Sequence, residues 1–243
     1  MCMELIYLHH SGFVILTSDA TIVIDYFEDS LSPKDGILHD EILKREGRMY
    51  VLSSHFHADH FNKDIFEWKN TKNDITYILS NDIHKKRKIA RDSASWLKKG
   101  EEYNDNNIKV KAYGSTDVGI SFLIETEGKT IFHAGDLNNW HWMEESPETE
   151  WKRDEKKFLD EIDIISKDYK NIDLVLFPVD PRLGNEYMRG GKQFIDLITP
   201  SVFIPMHFWN DFTSANRFQR YAIGKGIKSP EINHRGQIFH NIL

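Results

Sequence analysis

The segment MYVLSSHFHADH, residues 49–60, joins a short apolar run to three histidines and an aspartate. The apolar run predicts a β-strand that ends just before the histidines. His55 and His57 are two residues apart, so a backbone that is still extended would point both imidazoles the same way. Asp59 and His60 follow after the chain has begun to turn, and they would project elsewhere. This spacing predicts two neighbouring metal positions rather than a solvated turn.

Two later segments repeat the pattern of an apolar strand that ends in a ligand-type side chain. TIFHAGD, residues 130–136, ends at Gly135 and Asp136, where glycine permits a sharp turn that would let the carboxylate bridge two ions. SVFIPMHFW, residues 201–209, brings His207 to the end of another strand. Alone, an aspartate can cap a helix and a histidine can be satisfied in the core. Ligand-type residues after three strands favour convergence at one sheet edge, where open α/β sheets bind ligands.

Strand and helix patterns alternate along the rest of the chain and predict an α/β protein. This alternation implies sheets that are covered by helices on their outer faces. A four-layer α/β/β/α sandwich is one way to arrange about a dozen strands. Among the elements, ILHDEILKR (37–45) predicts a helix that ends near Gly47, HKKRKIAR (84–91) a short helix with a solvated basic face, and PEINH (230–234) a strand. Residues 150–170 predict an amphipathic helix. The pattern contains no linker, so we expect a single domain over residues 1–243.

Composition excludes several classes of function. The 243 residues are 40% apolar and 28% charged with a net charge of -7, and this charge argues against general binding to nucleic acid. No apolar run approaches the roughly 20 residues that span a bilayer. The start, MCMELIYLHH, lacks the features of a secretory signal, and the single cysteine, Cys2, cannot form an internal disulfide. We expect a cytoplasmic protein.

The histidine cluster, the Gly135-Asp136 pair after a central strand and the late Pro-Met-His ending at His207 together resemble the metallo-β-lactamase superfamily. The order of elements matches over nearly the whole chain. The opening, IYLHHSGFVIL (6–16) followed by ATIVIDYF (20–27), is similar to the branch that includes L-ascorbate-6-phosphate lactonase. The resemblance implies an αββα sandwich with two divalent metal ions, usually zinc, in a cleft at one edge.

The resemblance also implies roles for individual residues. It assigns six residues to the two ions: His55 and His57 to the first, Asp59, His60 and His207 to the second, and Asp136 as a bridge. It further implies that Asp25 buttresses the histidine loop and that His10 faces the cleft.

One expected ligand is missing from the first site. The family places another histidine just before the strand GISFLIET, where this chain has YGSTDVG, residues 113–119. Asp117 could supply an oxygen instead, which would favour manganese or iron over zinc. Alternatively, His133 or His141 could take part, although a histidine within a strand, such as His133, more often belongs to the core. Otherwise water completes the first site, or that site is weak or empty.

The pattern predicts a metal-dependent hydrolase that activates water against a lactone, a phosphoester or an amide. Asp59 is the catalytic candidate, because a carboxylate at this position could orient the water or relay its proton. Arg182 could bind a phosphate or carboxylate of a small, anionic substrate, or form a structural ion pair. Trp140, Trp142 and Trp151 could roof the cleft or simply pack.

Two alternatives remain open. One is a degenerate, non-catalytic metal-binding protein. The other is a di-iron redox protein of the same fold, whose relatives need a flavin partner domain for which 243 residues leave no room. The sequence leaves the substrate, the native metal and the formation of a homo-oligomer undecided.

Overall fold

The computed structural model describes residues 3–243, so the prediction about Cys2 lies outside the described residues. Two β-sheets form the centre of the fold. The first sheet has the strand order β13, β1, β2, β3, β4, β5, β6. Its strands are β1 (Glu4–His9), β2 (Gly12–Leu16), β3 (Ala20–Ile24), β4 (Arg48–Ser53), β5 (Ile75–Ser80), β6 (Ser95–Leu97) and β13 (Ile238–Phe239).

The second sheet has the strand order β12, β11, β10, β9, β8, β7. Its strands are β7 (Glu102–Asn104), β8 (Lys109–Tyr113), β9 (Ser121–Thr126), β10 (Lys129–His133), β11 (Asn171–Pro178) and β12 (Thr199–Met206). Strands β3 to β6 are parallel to one another, and so are β10 to β12. Each sheet therefore has an edge at which several strands end in the same direction, and the ligand-type residues follow β4, β10 and β12 there.

Helices cover the outer face of each sheet. The α-helices are α1 (Ile37–Asp40), α2 (Asn81–Lys86), α3 (Glu148–Asp168), α4 (Arg189–Leu197) and α5 (Phe212–Gly224). Short 3-10 segments span Ile42–Lys44, Lys63–Asn70, Arg91–Ser93 and Pro181–Glu186. None of the helices between residues 3 and 243 is long and apolar enough to cross a bilayer.

Aromatic contacts attach α3, α4 and α5 to the second sheet. Phe158 of α3 and Phe194 of α4 lie 6.1 Å and 4.9 Å, between ring centroids, from Phe177 of β11, and Phe218 of α5 lies 4.5 Å from Phe203 of β12. Since all five rings are fully buried, they fix these helices on one face of the sheet. The other face packs against the first sheet.

The first sheet is buried on both faces. Leu5 and Tyr7 of β1 point into the core between the sheets, whereas Ile6 and Leu8 join a separate core cluster with Trp68 of the 3-10 segment. This alternation follows from the two-residue period of a strand. The layers are therefore helix, sheet, sheet and helix, and the predicted α/β four-layer sandwich is confirmed.

Three local predictions, for residues 37–45, 84–91 and 230–234, were wrong. Residues 37–45 do not form one helix, because Glu41 leaves helical geometry, and the Arg45 guanidinium then donates to the carbonyls of Thr17 and Ala20. In the basic run, α2 ends at Lys86 and Lys88 has a φ of 54°.

The segment 230–234 is not a strand. The backbone of Ile232 bonds instead to the side-chain amide of Asn216 on α5, which satisfies the N–H and C=O that a strand would have used. The amphipathic helix is confirmed as α3.

Candidate metal centre

The loops after β4, β8, β10 and β12 and the turn between β1 and β2 meet at one edge of the sandwich. They bring ligand-type atoms into two groups, each with all of its atoms within 4.8 Å of one another. The first group is His55, His57, Asp117 and Asp136, and the second is His10, Asp59, His60 and His207. All six residues that the resemblance assigned to metal ions are among these eight.

Asp136 belongs to the first group and also faces the second. Its Oδ1 is 3.0 Å from His60 Nε2 and 3.2 Å from His207 Nε2, while its Oδ2 is 3.4 Å from His55 Nε2. Gly135 has a φ of 53°, and a Cβ there would lie 2.7 Å from the Ser54 Cβ. The glycine thus permits the turn that aims the carboxylate between the histidines.

Asp25 holds two of the histidines in one orientation. Its carboxylate accepts hydrogen bonds of 2.7 Å each from the Ser54 backbone amide, the Ser54 hydroxyl and His60 Nδ1. Since the Ser54 hydroxyl donates to Asp25, its oxygen can accept from His55 Nδ1 at 3.0 Å. Both histidines are thereby left with a lone pair on Nε2 that faces Asp136, the tautomer that a metal ligand needs.

Asp180 plays the same part for His207. Its Oδ2 accepts from His207 Nδ1 at 2.9 Å and also bonds the Arg182 guanidinium, whose Nε is 2.9 Å away. Arg182 therefore forms the structural ion pair that the sequence allowed, while its half-exposed side chain also lines the cleft.

Asp117 is the member of the first group that comes from the segment in which the expected histidine is missing. Its Oδ2 is 3.6 Å from His57 Nδ1, and His57 Nδ1 is 3.0 Å from His55 Nε2. Two residues later, Gly119 lets the loop press against the histidine turn, because a Cβ there would lie 2.4 Å from the His55 Cβ. The first group thus contains two imidazoles and two carboxylates.

His133 and His141 are held away from the first group. His133 is buried, its Nε2 donates to the Ser11 carbonyl at 2.9 Å, and its Nδ1 accepts from the Gly135 amide at 3.1 Å. His141 is buried beside the Glu186 carbonyl, 3.3 Å from its Nε2. The structure therefore places neither residue in the first group, since their ring nitrogens contact the backbone.

His10 lies deeper than the resemblance implied. Its side chain is fully buried, 4.0 Å between centroids from the His207 ring and 4.2 Å from the Trp209 ring, so it does not face the open cleft. Its Nε2 is 3.4 Å from Asp59 Oδ2. The backbone amide of His207 donates to the His10 carbonyl, which fixes the β1–β2 turn against the end of β12.

The buried polar atoms of the centre fit a bound cation. Both ring nitrogens of His10, Nε2 of His60 and of His207, and Oδ1 of Asp136 have no hydrogen-bonding partner within residues 3–243. Burying such atoms unpaired costs about 1–3 kcal/mol each. Imidazole nitrogens and carboxylate oxygens are ligands for zinc, and they also suit manganese and iron. These atoms belong to the second group or, in the case of Asp136 Oδ1, face it, and a divalent ion there would satisfy them.

The charges of the centre also favour a cation. Burial opposes the protonated form of His60 and His207, yet the Asp136 carboxylate raises the pKa of His60 well above its usual value and that of His207 to about 9. Burial likewise opposes the ionised form of Asp136, but the two histidines hold its pKa well below the usual range. Without a metal, the site attracts protons, which indicates a place built for positive charge.

The pKa of Asp117 shifts in the opposite direction to that of Asp136. Burial and the nearby Asp136 carboxylate raise the pKa of Asp117. Two carboxylates placed this close repel each other, and a cation between them would remove the repulsion.

Strained backbone accompanies the site. His10, Asp25, Trp142, His207 and Trp209 all have positive φ angles, between 42° and 63°. Such angles are uncommon for residues other than glycine and persist only where surrounding contacts hold them. Here they aim side chains at one edge of the sandwich.

A cleft of about 550 Å³ opens over the two groups. Asp59 and His207 form part of its floor, and the stacked indoles of Trp140 and Trp142, 6.3 Å apart, form part of its wall. Arg153 and Lys157 of α3 line it as well, and sequence reasoning did not single them out. They belong to the charged face of an amphipathic helix, and a sequence pattern does not show which part of such a face borders a cleft.

With this geometry in view, comparisons with known proteins identify the family. The model of a family described as the beta-lactamase superfamily domain matches residues 4–207. The chain belongs to this family. The six predicted metal residues of this beta-lactamase superfamily member, together with His10, Asp25 and Asp117, all lie within the matched range.

Curated relatives of similar length carry a related description. A UPF0173 metal-dependent hydrolase of Nanoarchaeum equitans is 24% identical over 245 residues, covering 97% of this chain and 99% of the relative. Another, of Desulforamulus reducens, is 26% identical over 224 residues, covering 85% and 84%. The expectation of an enzyme of the metal-dependent hydrolase class is confirmed at this level.

Solved structures share the fold of this beta-lactamase superfamily member. Igni18, a metallo hydrolase of Ignicoccus hospitalis, has a TM-score of 0.69 at 19% identity, covering 99% of this chain and 98% of its own. CmlA, a diiron beta-hydroxylase of Streptomyces venezuelae, has a TM-score of 0.65 at 12% identity, covering 98% of this chain and 53% of its own. At these identities, the similarity shows the fold alone.

Proposed function

We propose that the two groups hold two divalent ions and that the protein is a hydrolase whose reaction takes place in the cleft above them. The unpartnered, buried atoms of His10, His60, His207 and Asp136 carry the proposal for the second ion. The approach of ligand-type atoms of His55, His57, Asp117 and Asp136 to within 4.8 Å of one another carries it for the first. Residues 1–243 would form one hydrolase domain, and a cytoplasmic location remains a prediction from the sequence.

The proposed ligands follow the two groups. Asp59, His60 and His207 would bind the second ion, His55, His57 and Asp117 the first, and Asp136 would bridge them. Asp117 replaces a nitrogen ligand by an oxygen, so we expect zinc at the second position and competition from manganese or iron at the first. His10 completes the surroundings of the second ion, with an unpartnered ring nitrogen 3.4 Å from Asp59 Oδ2.

Divalent ions bound there would supply a Lewis acid and lower the pKa of water to about 7. The protein's own residues supply the rest of the machinery. Burial opposes ionisation of Asp59, but the nearby His10 and His60 imidazoles lower its pKa well below the usual value. Asp59 is therefore an anion that lines the cleft, about a quarter exposed, and can accept a hydrogen bond from a water molecule and orient it.

The geometry of the centre allows several substrate classes, and the proposal selects one of them to test first. A lactone, a phosphoester and an amide all present an electrophilic carbon or phosphorus to water, and the same centre serves each. The resemblance of residues 6–27 to the L-ascorbate-6-phosphate lactonase branch makes a lactone the first substrate to test.

The test is a screen of lactones, phosphodiesters and amides with metal-loaded protein, repeated with Asp59→Asn. We expect the variant to lose about 10²–10⁴-fold in kcat while its fold persists, because the anion that orients the water is removed. His240→Ala is the control, since His240 is exposed and pairs with Glu4 away from the centre. Equal activity of Asp59→Asn and the wild type would contradict the role of Asp59.

The two alternative functions give different results. A redox protein would retain two irons and consume oxygen when given an electron donor, and the two carboxylates in the first group keep this alternative worth testing, because oxygen ligands suit iron. A degenerate protein would bind one ion or none. Asp117 weakens the case for degeneration, since it brings a ligand-type atom to the place where the histidine is missing.

A further inference from the structure

Arg153 and Lys157 share an arrangement that sets them apart from other basic residues of α3. Lying at positions i and i+4, they point from one face of the helix into the cleft. Both contact the same carboxylate, because Asp154 Oδ1 is 2.7 Å from Lys157 Nζ and 3.3 Å from Arg153 Nε. Two cations therefore share one acid, which leaves a net positive charge on this wall.

Other lysines of the helix are matched one to one. Lys152 contacts Glu148, Lys156 contacts Asp160 and Lys167 contacts Asp163, each within 2.7 Å. These pairs are on exposed parts of α3 and none of their members lines the cleft. The two basic residues of α3 that share a single acid are therefore the two that line the cleft.

The rest of the cleft does not neutralise this surplus once ions are bound. Arg182 is engaged by Asp180, and the remaining acidic residues of the lining, Asp59, Asp117 and Asp136, belong to the two metal groups. Two divalent ions would exceed the charge of these carboxylates and leave the cleft net positive. Such a cleft attracts anions from solution.

The cleft also has an apolar section. Trp140 is fixed by a hydrogen bond from its indole Nε1 to the Asp136 carbonyl, 2.8 Å away, and Trp142 stacks on it with an interplanar angle of 13°. The two indoles belong to the same cleft lining as the metal groups and the α3 cations.

We propose that Arg153 and Lys157 bind an anionic group, a carboxylate or a phosphate, at the end of the substrate away from the bond that is cleaved. The substrate would place its scissile bond over the metal groups and an apolar spacer against Trp140 and Trp142. This inference rests on the proposed function, and it narrows the lactones, esters and amides to those that carry a second, charged end. Arg153 and Lys157 are then specificity residues, since they contact the substrate without taking part in bond cleavage.

The experiment measures the binding of small probes to the metal-loaded protein by calorimetry. The probes are dicarboxylates from succinate to pimelate, phosphonocarboxylates of the same lengths, and monocarboxylates of matching length. A monocarboxylate can reach the metal groups alone, whereas a probe of the right length with two charged ends can also reach α3. We expect at least one such probe to bind about three- to tenfold more tightly than its matched monocarboxylate, the gain typical of exposed charge pairs. Comparing dicarboxylates with phosphonocarboxylates shows which anion the wall prefers.

The variant Arg153→Gln/Lys157→Gln should lose this advantage and keep the affinity for monocarboxylates. Lys156→Gln is the matched control, because Lys156 lies on the same helix and pairs with Asp160 outside the cleft. No advantage for any two-ended probe, or an advantage that survives in the double variant, would overturn the inference. Metal content measured on the same samples separates the two proposals: bound ions without an advantage reject only the inference, whereas a protein that takes up no ions rejects the proposed function and the inference with it.

Discussion

Replacing Asp25 by Asn is a sharp test of how the centre is held. Asp25 is fully buried and accepts three hydrogen bonds of 2.7 Å, two from Ser54 and one from His60 Nδ1. The bonds from the Ser54 hydroxyl and His60 Nδ1 both fall on Oδ2, and the bond from the Ser54 amide falls on Oδ1. In Asn, an NH₂ group takes one of these two positions. At the Oδ2 position it cannot accept from His60 Nδ1, and His60 would move its proton to Nε2, 3.0 Å from Asp136 Oδ1, where the second ion should bind. At the Oδ1 position it faces the Ser54 amide, which then loses the acceptor that holds the histidine loop.

We expect Asp25→Asn to weaken metal binding by 10- to 100-fold, the usual effect of losing a partner that orients a ligand, or about 1.4–2.7 kcal/mol. The assay is a competition titration of metal-free protein against a chromophoric chelator. A metal affinity within twofold of the wild type would refute the reasoning that Asp25 fixes the His60 tautomer.

Asp29→Asn is the matched control for this measurement. Asp29 is also fully buried, and its Oδ2 bonds His39 Nδ1 at 2.8 Å, but it caps α1 through the amides of Leu38 and His39 instead of contacting the centre. The control should lose stability by about 1–3 kcal/mol, because buried donors lose an acceptor. Its metal affinity should stay unchanged.

Three further predictions concern the frame of the site. Gly119→Ala should destabilise the protein by about 2–3 kcal/mol in urea unfolding, because φ is 77° and the new Cβ would meet the His55 Cβ at 2.4 Å. A loss of stability below about 0.5 kcal/mol would count against this close contact. Burial opposes ionisation of Asp105, but the Asn107 amide and other donors lower its pKa. Its contribution to stability is therefore present above about pH 4 and is lost as the pH falls further. Between pH 5 and pH 3, the free energy of unfolding should fall less steeply for Asp105→Asn than for the wild type, and equal slopes would reject this. Phe177→Ala should cost about 3–5 kcal/mol by the same unfolding assay, since its ring is fully buried, and a cost near zero would mean that the outer helices pack differently.

The sequence predicted the sandwich and the convergence of ligands because both depend on local pattern. Apolar strands that end at His55, Asp136 and His207 are readable without coordinates, since parallel strands deliver their ends to one edge. The same argument extends to Asp25, whose place after β3 puts it beside the end of β4.

Contacts between distant segments were beyond sequence reasoning. Asp117 was one of several substitutes for the missing histidine, and only the close approach at Gly119 brings it to His57. The cation pair on α3 was not singled out, because Arg153 and Lys157 read like any other charged residues of an amphipathic helix. The wrong strand at 230–234 has a similar cause, a tertiary hydrogen bond that replaces a strand partner.

The protonation and the charges of the two metal groups give the two-ion proposal its physical basis. His60 and His207 attract protons when no metal is bound, while Asp117 and Asp136 repel each other. Divalent ions would replace those protons and separate the two carboxylates with positive charge. The same ions make the cleft attractive to the anionic substrate end that α3 is placed to bind.

Metal stoichiometry tests the central claim most directly. The protein should be purified without chelators, analysed by mass spectrometry for zinc, manganese and iron, and then reloaded with each metal in turn. We expect about two ions per chain in the wild type, about one in Asp117→Ala, and fewer than one in Asp136→Ala, whose carboxylate faces both groups. Fewer than one ion per wild-type chain with every metal, or two ions retained in Asp136→Ala, would contradict the claim that these eight side chains form a two-metal centre.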